Sequence, residues 1–471
     1  MTEAKCREHA SRKTGWLIGA YGCRSGYVRH SATANVEIIK MRYSLRMVLL
    51  ALATLLYCAP VFAYIDPGTG SALLYVITGL VASAYFAARS FYYHAVDAIF
   101  SIRRRDQKCG IAIHCENPRY EIVFLPVLRA LAGRGIDIVL FTMYERGASF
   151  EALPDGVTQK AIPAGMMGYA YLNSVEAVVL LTTTPQLDVM TFRRSRRVKH
   201  YVIIQHALGE SRFVRPYAYD YYDSVLCCGP VLKQNLRKLE AIRQFPAKAL
   251  YETGLPHYDL LLASALPSPS GEIVVLVAPS WGPLSMFESF GVDFVEAIAR
   301  HFRVIVRPHP QMKVSQQELY ARILALEGVE VDTETTPQSA MARAHVLLSD
   351  ISGITHEFAF IHERPVVIVD QKAILGGLEG ELLGGDSELK ARCSDFIWPM
   401  PPSEMTQVVS HLERALAQHS VERLRQVRDE LVYNFGKAGV TAAEQIEEIY
   451  KTEAAATKRS PSRKPGLEVA E

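Results

Sequence analysis

Val346-Leu347-Leu348-Ser349-Asp350-Ile351-Ser352-Gly353-Ile354-Thr355-His356-Glu357 decides how the chain is to be read. An apolar run gives way to small polar residues and a glycine, and a helical stretch begins. That pattern predicts a buried strand passing through a tight turn into a helix. The first turn of such a helix offers free N–H groups and the positive end of its dipole. Ser352 and Thr355 add hydroxyl donors, and Asp350 and Gly353 lie in the same turn. The segment is therefore a candidate anion site of the kind that takes diphosphates. The bland alternative is an ordinary serine N-cap. The spacing is not that of a phosphate-binding G-x-x-x-x-G-K-[ST] loop, which the chain lacks.

The same strand-to-helix alternation extends on both sides. Strands are predicted at 273–278, 302–307, 345–349 and 366–370, with helices at 285–301, 316–326 and 354–361 between them. An earlier series has strands at 110–115, 136–142, 177–181, 201–205 and 224–228 and helices at 119–132 and 231–241. Alternation of this kind predicts parallel sheets covered by helices. The fold class is α/β, with one Rossmann-like domain over 105–255 and a second over 272–451. The stretch 255–271, with Pro256, Pro267, Pro269 and Gly271, reads as the hinge between them. Residues 404–451 are predicted to be largely helical. The tail 452–471, rich in Lys, Arg, Ser, Pro and Ala, is predicted to be disordered.

Ligands of open α/β sheets bind outside the carboxyl ends of the strands, so the turns after strands are where chemistry is expected. His206 leaves the strand 201–205 there, and an imidazole can take a proton near neutral pH. Arg307-Pro308-His309-Pro310 follows another strand, and its prolines stiffen a turn carrying two cation-capable groups, which suits phosphate. Ala278-Pro279-Ser280-Trp281-Gly282 is a third such turn, with Trp281 placed either to stack on a base or to pack a hinge. No carboxylate pair with metal spacing follows a strand. Asp220 and Asp223 read as a helix edge, so neither a metal nor a cofactor is expected.

The chain has 471 residues, 49% of them apolar and 21% charged, with a net charge of +2. Those values exclude a disordered chain and a strongly basic nucleic-acid binder. Eight cysteines without a C-x-x-C pair argue against structural zinc and for a reducing compartment. Met41 opens a stretch in which Arg42 and Arg46 precede an apolar core and small residues, the anatomy of a signal peptide over 41–63. Residues 1–40 read as an upstream extension. A second apolar run is predicted to cross a membrane over 71–90, with Arg103, Arg104 and Arg105 keeping the rest of the chain cytoplasmic.

Taken in order, these turns are familiar. His206 after a strand, Gly254-Leu255-Pro256, Ala278-Pro279-Ser280-Trp281, Arg307-Pro308-His309-Pro310 and Ser349-Asp350-Ile351-Ser352-Gly353 together resemble the CDP-glycerol glycerophosphotransferase family, over roughly residues 195–440. The resemblance implies a GT-B fold of two facing Rossmann-like domains. It implies a bacterial inner-membrane enzyme that moves a polyol phosphate from a CDP-activated donor to a lipid-linked or membrane-associated hydroxyl acceptor in cell-surface polymer synthesis, releasing CMP. His206 stands at the family's base, although Gln205 and Ala207 replace its tryptophan and glycine. His309 matches the histidine that contacts the donor phosphates. Asp350 and Ser352 match a D-Y-S-S turn whose second serine is Gly353 here. A sugar-nucleotide transferase of the same fold, or a non-catalytic membrane scaffold, would carry the same pattern.

Overall fold

The computed structural model describes residues 75–88, 108–147, 150–189, 192–265, 269–334, 336–350, 352–371 and 376–459. The chain forms two units, Met1–Arg89 and Ser90–Glu471. In the first, residues 75–88 form a helix whose apolar side chains, among them Tyr75, Leu80, Val81, Tyr85 and Phe86, are exposed. A helix of 14 residues is about 21 Å long, short of the roughly 30 Å of bilayer hydrocarbon. Among the described residues no helix is long and apolar enough to cross a membrane. Of the span expected at 71–90 only this shorter helix is described. The signal-like stretch 41–63 and the extension 1–40 lie outside the described residues.

The second unit contains two sheets. The first holds β1 (Lys108–Cys115), β2 (Ile138–Thr142), β3 (Val157–Ala161), β4 (Glu176–Thr182), β5 (Val198–Ile204), β6 (Ser224–Cys227) and β7 (Ala249–Glu252), in the order β3-β2-β1-β4-β5-β6-β7. The second holds β8 (Val274–Ala278), β9 (Arg303–Val306), β10 (Glu330–Val331), β11 (Val346–Ser349), β12 (Val366–Val369) and β13 (Ile397–Met400), in the order β10-β9-β8-β11-β12-β13. Every pairing is parallel. The central strands are buried on both faces over most of their length, which is why β8 and the interiors of β4 and β11 read as apolar runs. The strands missing from the sequence reading, β3, β7, β10 and β13, close the sheet edges. They are short or half exposed, or carry a proline as β13 does at Pro399, so no apolar run marks them.

Three boundaries differ from expectation. The hinge stretch is helical over Pro256–Ala263, with His257 and Tyr258 buried. The helix expected over 285–301 is two, Met286–Phe290 and Asp293–Ala299. Gly291 at φ 70° ends the first, in the left-handed region where glycine has no Cβ penalty. The tail is helical further than expected, because the last helix runs Ala438–Arg459. That helix leaves the second lobe and returns to the first, where Ala442, Ala443, Ile446 and Ile449 join the core of β1 and β4. The C-terminal boundary drawn at 451 therefore assigned this helix to the wrong lobe. Two glycines admit the returning chain. A Cβ at Gly229 would sit 1.9 Å from the Leu431 carbonyl oxygen, and one at Gly254 (φ +89°) 2.0 Å from that of Tyr433.

Further ties join the lobes. Arg212 donates to the carbonyls of Gly384, Gly385 and Asp386. Arg243 pairs with Asp220 at 2.7 Å and also with Glu379. Leu389 N–H donates to Glu210. Asp220 is thus one arm of a buried ion-pair cluster, and Asp223 pairs with Arg194 at 2.6 Å.

Candidate functional site

In a parallel sheet that grows outward in both directions, the crevice opens where the strand order reverses. Here that is between β1 and β4 in one lobe and between β8 and β11 in the other. The residues expected at the site sit on the turns around these two points.

In the second lobe the turns after β8 and β11 are stapled together. Asp350 is buried, and its two carboxylate oxygens accept from the backbone N–H groups of Ser280 (2.6 Å) and Met286 (2.8 Å). Burial raises its pKa, against these hydrogen bonds and one from the Ser280 hydroxyl. Asp350 was expected among the phosphate-binding groups. It instead fixes the turn from within, and a carboxylate would in any case repel phosphate. Thr355 is buried and its hydroxyl donates to the Ser352 carbonyl at 2.8 Å, closing the first turn of the Ile354–His362 helix. Its expected contact with phosphate is therefore replaced by a local cap. Ser352 is half-buried and Gly353 exposed at that helix end, and a Cβ at Gly353 would meet no atom within 4 Å.

Arg307 also turns inward. Its guanidinium pairs with Asp332 at 2.5 Å and donates to the Glu334 carbonyl at 2.9 Å. Its expected role at the donor phosphates gives way to holding the β9 exit turn. His309, two residues on, stays half-buried, and its Nδ1 accepts from the Gln311 N–H at 3.1 Å. That leaves the proton of the neutral ring on Nε2, so His309 offers a donor. Trp281 is 48% exposed with its ring 6.2 Å from that of His309, forming the rim of the same turn.

In the first lobe His206 follows β5 and is exposed to the cleft, though flanked by protein. The Tyr120 ring lies 4.6 Å from it. Desolvation lowers its pKa, His257 and Arg119 lower it further, and Glu116 and Glu357 oppose them. His309 is likewise lowered by desolvation, then by Arg119 and Arg307. Arg119, exposed on the β1 exit turn, thus acts on both imidazoles, and His206 also feels Glu357 of the second lobe. The charge of Arg119 reaches both histidines, and burial lowers both, which favours the neutral ring at neutral pH.

Three residues on this cleft were not singled out in the sequence. His257 is buried at the start of its helix, neither ring nitrogen has a hydrogen-bond partner among the described residues, and Glu357 of the second lobe lies 3.6 Å from its Nε2. Glu116 and Arg119 lie in the turn after β1. That turn follows a strand as the others do, but its place at the reversal of strand order is a property of the folded sheet.

No protein-family model matches the chain, and no sequence among curated proteins matches it. Solved structures do match in fold. A variant of the wall teichoic acid polymerase TagF superposes with a TM-score of 0.50 at 11% identity, covering 83% of this chain and 100% of its own. UDP-N-acetylglucosamine 2-epimerase from Rickettsia bellii superposes with a TM-score of 0.50 at 14% identity, covering 75% of this chain and 99% of its own. A polymerase and an epimerase share one architecture, so the likeness shows the fold and leaves function to the site. Two facing Rossmann-like domains with parallel sheets, the GT-B arrangement, are what this chain has in common with them.

Proposed function

We propose that the protein transfers a polyol phosphate, glycerol phosphate first among candidates, from a CDP-activated donor to a hydroxyl acceptor. The observation that carries this reading is that the charge of Arg119 reaches both His206 and His309, which follow strands of the two different lobes, with the N-terminus of the Ile354–His362 helix following β11 of the second sheet. The motif order shared with the CDP-glycerol glycerophosphotransferases supports the donor class, and the TagF fold is compatible with it.

In this scheme the acceptor oxygen attacks the phosphorus nearest the polyol while His206 takes the hydroxyl proton. The bond from that phosphorus to the bridging oxygen breaks, and CMP leaves with the bridging oxygen and the bonding pair. His309 Nε2–H, the helix N–H groups near Gly353, the Ser352 hydroxyl and Arg119 face the negative charge that develops there. Losing one such donor costs about 3 kcal/mol of transition-state stabilisation. The apolar helix at 75–88, and the basic and apolar pattern around it, support placement at the bacterial inner membrane near a lipid-linked acceptor.

Incubation with CDP-glycerol and a panel of hydroxyl acceptors, followed by phosphorus NMR, tests the reading. CMP and a new phosphodiester are expected together. Turnover of a sugar nucleotide with neither product would replace it by sugar transfer, the reading that the shared fold also accommodates. Absence of thermal stabilisation by any nucleotide would point to a non-catalytic scaffold, since a ligand of the folded state must raise its stability.

A further inference from the structure

We propose that Glu116 is an acceptor-binding residue of this cleft and selects a neutral acceptor bearing two neighbouring hydroxyls. The argument begins with what holds Glu116 in place. It leaves β1 at the reversal of strand order, half-buried. One oxygen, Oε2, accepts from the Thr184 hydroxyl at 2.6 Å and the Tyr169 hydroxyl at 3.1 Å. The other, Oε1, has no hydrogen-bond partner among the described residues.

The support behind it is extensive. Thr184 is buried, its N–H donates to Thr182 Oγ1 at 3.1 Å, and its carbonyl accepts from the Tyr222 hydroxyl. Thr182 Oγ1 in turn lies 3.0 Å from Nδ1 of the wholly buried His114. Five polar side chains from four segments thus fix a single carboxylate. The outermost member is only half satisfied, since His114 Nε2 is buried with no hydrogen-bond partner among the described residues. The bonds that hold the carboxylate itself are those from Thr184 and Tyr169, and such bonds rigidify what they hold. Three buried carboxylates here, Glu121, Glu240 and Glu379, are matched by arginine or lysine, while buried Asp350 is held by backbone N–H groups. Glu116 has no cation within ion-pair distance among the described residues, only hydroxyl donors. That leaves a fixed, negatively charged acceptor directed at hydroxyl chemistry and unfavourable to anions.

Its neighbours complete the geometry. Tyr120, four residues along the same turn, lies over His206, and the charge of Glu116 reaches the His206 ring. A hydroxyl has one proton to give, so one group cannot serve both residues. An acceptor with two adjacent hydroxyls can give one proton to His206 and hydrogen-bond Glu116 Oε1 with the other. This rests on His206 as the base of the reaction proposed above, but its test does not need turnover.

The full-length protein and Glu116→Gln are compared in two measurements. Histidine NMR follows the titration of His206, which also faces Tyr120, His257, Arg119 and Glu357. The midpoint is expected to fall in Glu116→Gln, because one of the two groups raising it is gone. An unmoved midpoint overturns the proposal. Saturation-transfer NMR then uses methyl α-D-glucopyranoside as the neutral diol and glycerol 3-phosphate as the anion. With CDP present to fill the phosphate site, the diol is expected to bind and to weaken tenfold or more in Glu116→Gln, and the anion to bind the wild type more weakly than the diol. A diol that fails to bind the wild type, or binds the variant equally, overturns the proposal, as does tighter binding of the anion. Stabilisation by CDP is expected to be equal in both proteins, so its absence from both would count against the donor reading alone. Should Glu116→Gln not fold, Thr184→Val, which removes one anchor and keeps the charge, is expected to weaken diol binding less, and unchanged binding there overturns the proposal.

Discussion

The turns after β9 and β11 and the turns after β1 and β4 use charge in opposite ways. In the second lobe the charged residues point into the fold. Arg307 is spent on Asp332 and Glu334, and Asp350 on the N–H groups of Ser280 and Met286. What faces the cleft there is mainly neutral, namely His309, Ser352 and the N-terminus of a helix, with Glu357 beside His257 as the charged exception. In the first lobe the polar support is buried and uncharged, and a carboxylate, a guanidinium and an imidazole face outward. The lesson is that a charged residue after a strand marks a turn worth building, while burial and partners decide whether it builds the turn or meets the ligand.

The comparison breaks most sharply at His206. Its replacement by Ala should lower CMP release by about 10²–10⁴-fold, the usual loss for a general base. A variant within threefold of wild type would remove His206 from the mechanism. Arg307→Ala should act on stability, by about 3–5 kcal/mol, because it strands the buried Asp332. A denaturant midpoint that stays put, with nucleotide affinity lost, would return Arg307 to the ligand. Asp350→Ala should cost about 1–3 kcal/mol for each N–H it leaves unpaired, and Asp350→Asn less, since its amide oxygen keeps one partner. Equal midpoints for the two variants would show that the carboxylate does not staple the turns.

Acid gives a further test. Burial holds His114 at about 3, against 6.5 for an ordinary imidazole. The unfolded chain takes this proton first, so His114 costs nothing above about pH 6.5 and stability falls as pH drops from there toward 3. In His114→Asn this window should flatten in pH-dependent unfolding, and an unchanged slope would mean that His114 is not desolvated. The smallest effect is expected at Ser352→Ala. It should weaken nucleotide binding by less than tenfold in calorimetry and leave stability within about 0.5 kcal/mol. A larger stability loss would make Ser352 a cap alone.

Much of the fold was legible because central parallel strands must be apolar throughout. β4, β8 and β11 appear in the sequence as runs dominated by Val, Leu and Ala, and the later residues of β5 as Val-Ile-Ile. The edge strands were not, since β3 reads Val-Thr-Gln-Lys-Ala with one face wet. Of the candidate site, His206, His309, Ser352, Gly353, Ser280 and Trp281 lie on exit turns as expected. The inward turn of Arg307, Asp350 and Thr355 was hidden because their partners, such as Asp332 and Met286, are distant in sequence.

By itself the sequence determined the α/β class, the two lobes and the rule that chemistry collects after strands, because periodicity and composition act through neighbours along the chain. Strand order, the return of the last helix to the first lobe, and which charged side chains face the cleft were decided only by tertiary structure. Each depends on contacts between segments that sequence spacing does not relate. Glu116 shows the difference: an unremarkable residue before Asn117 and Pro118 in the chain, it becomes a held carboxylate once β1 and β4 lie side by side.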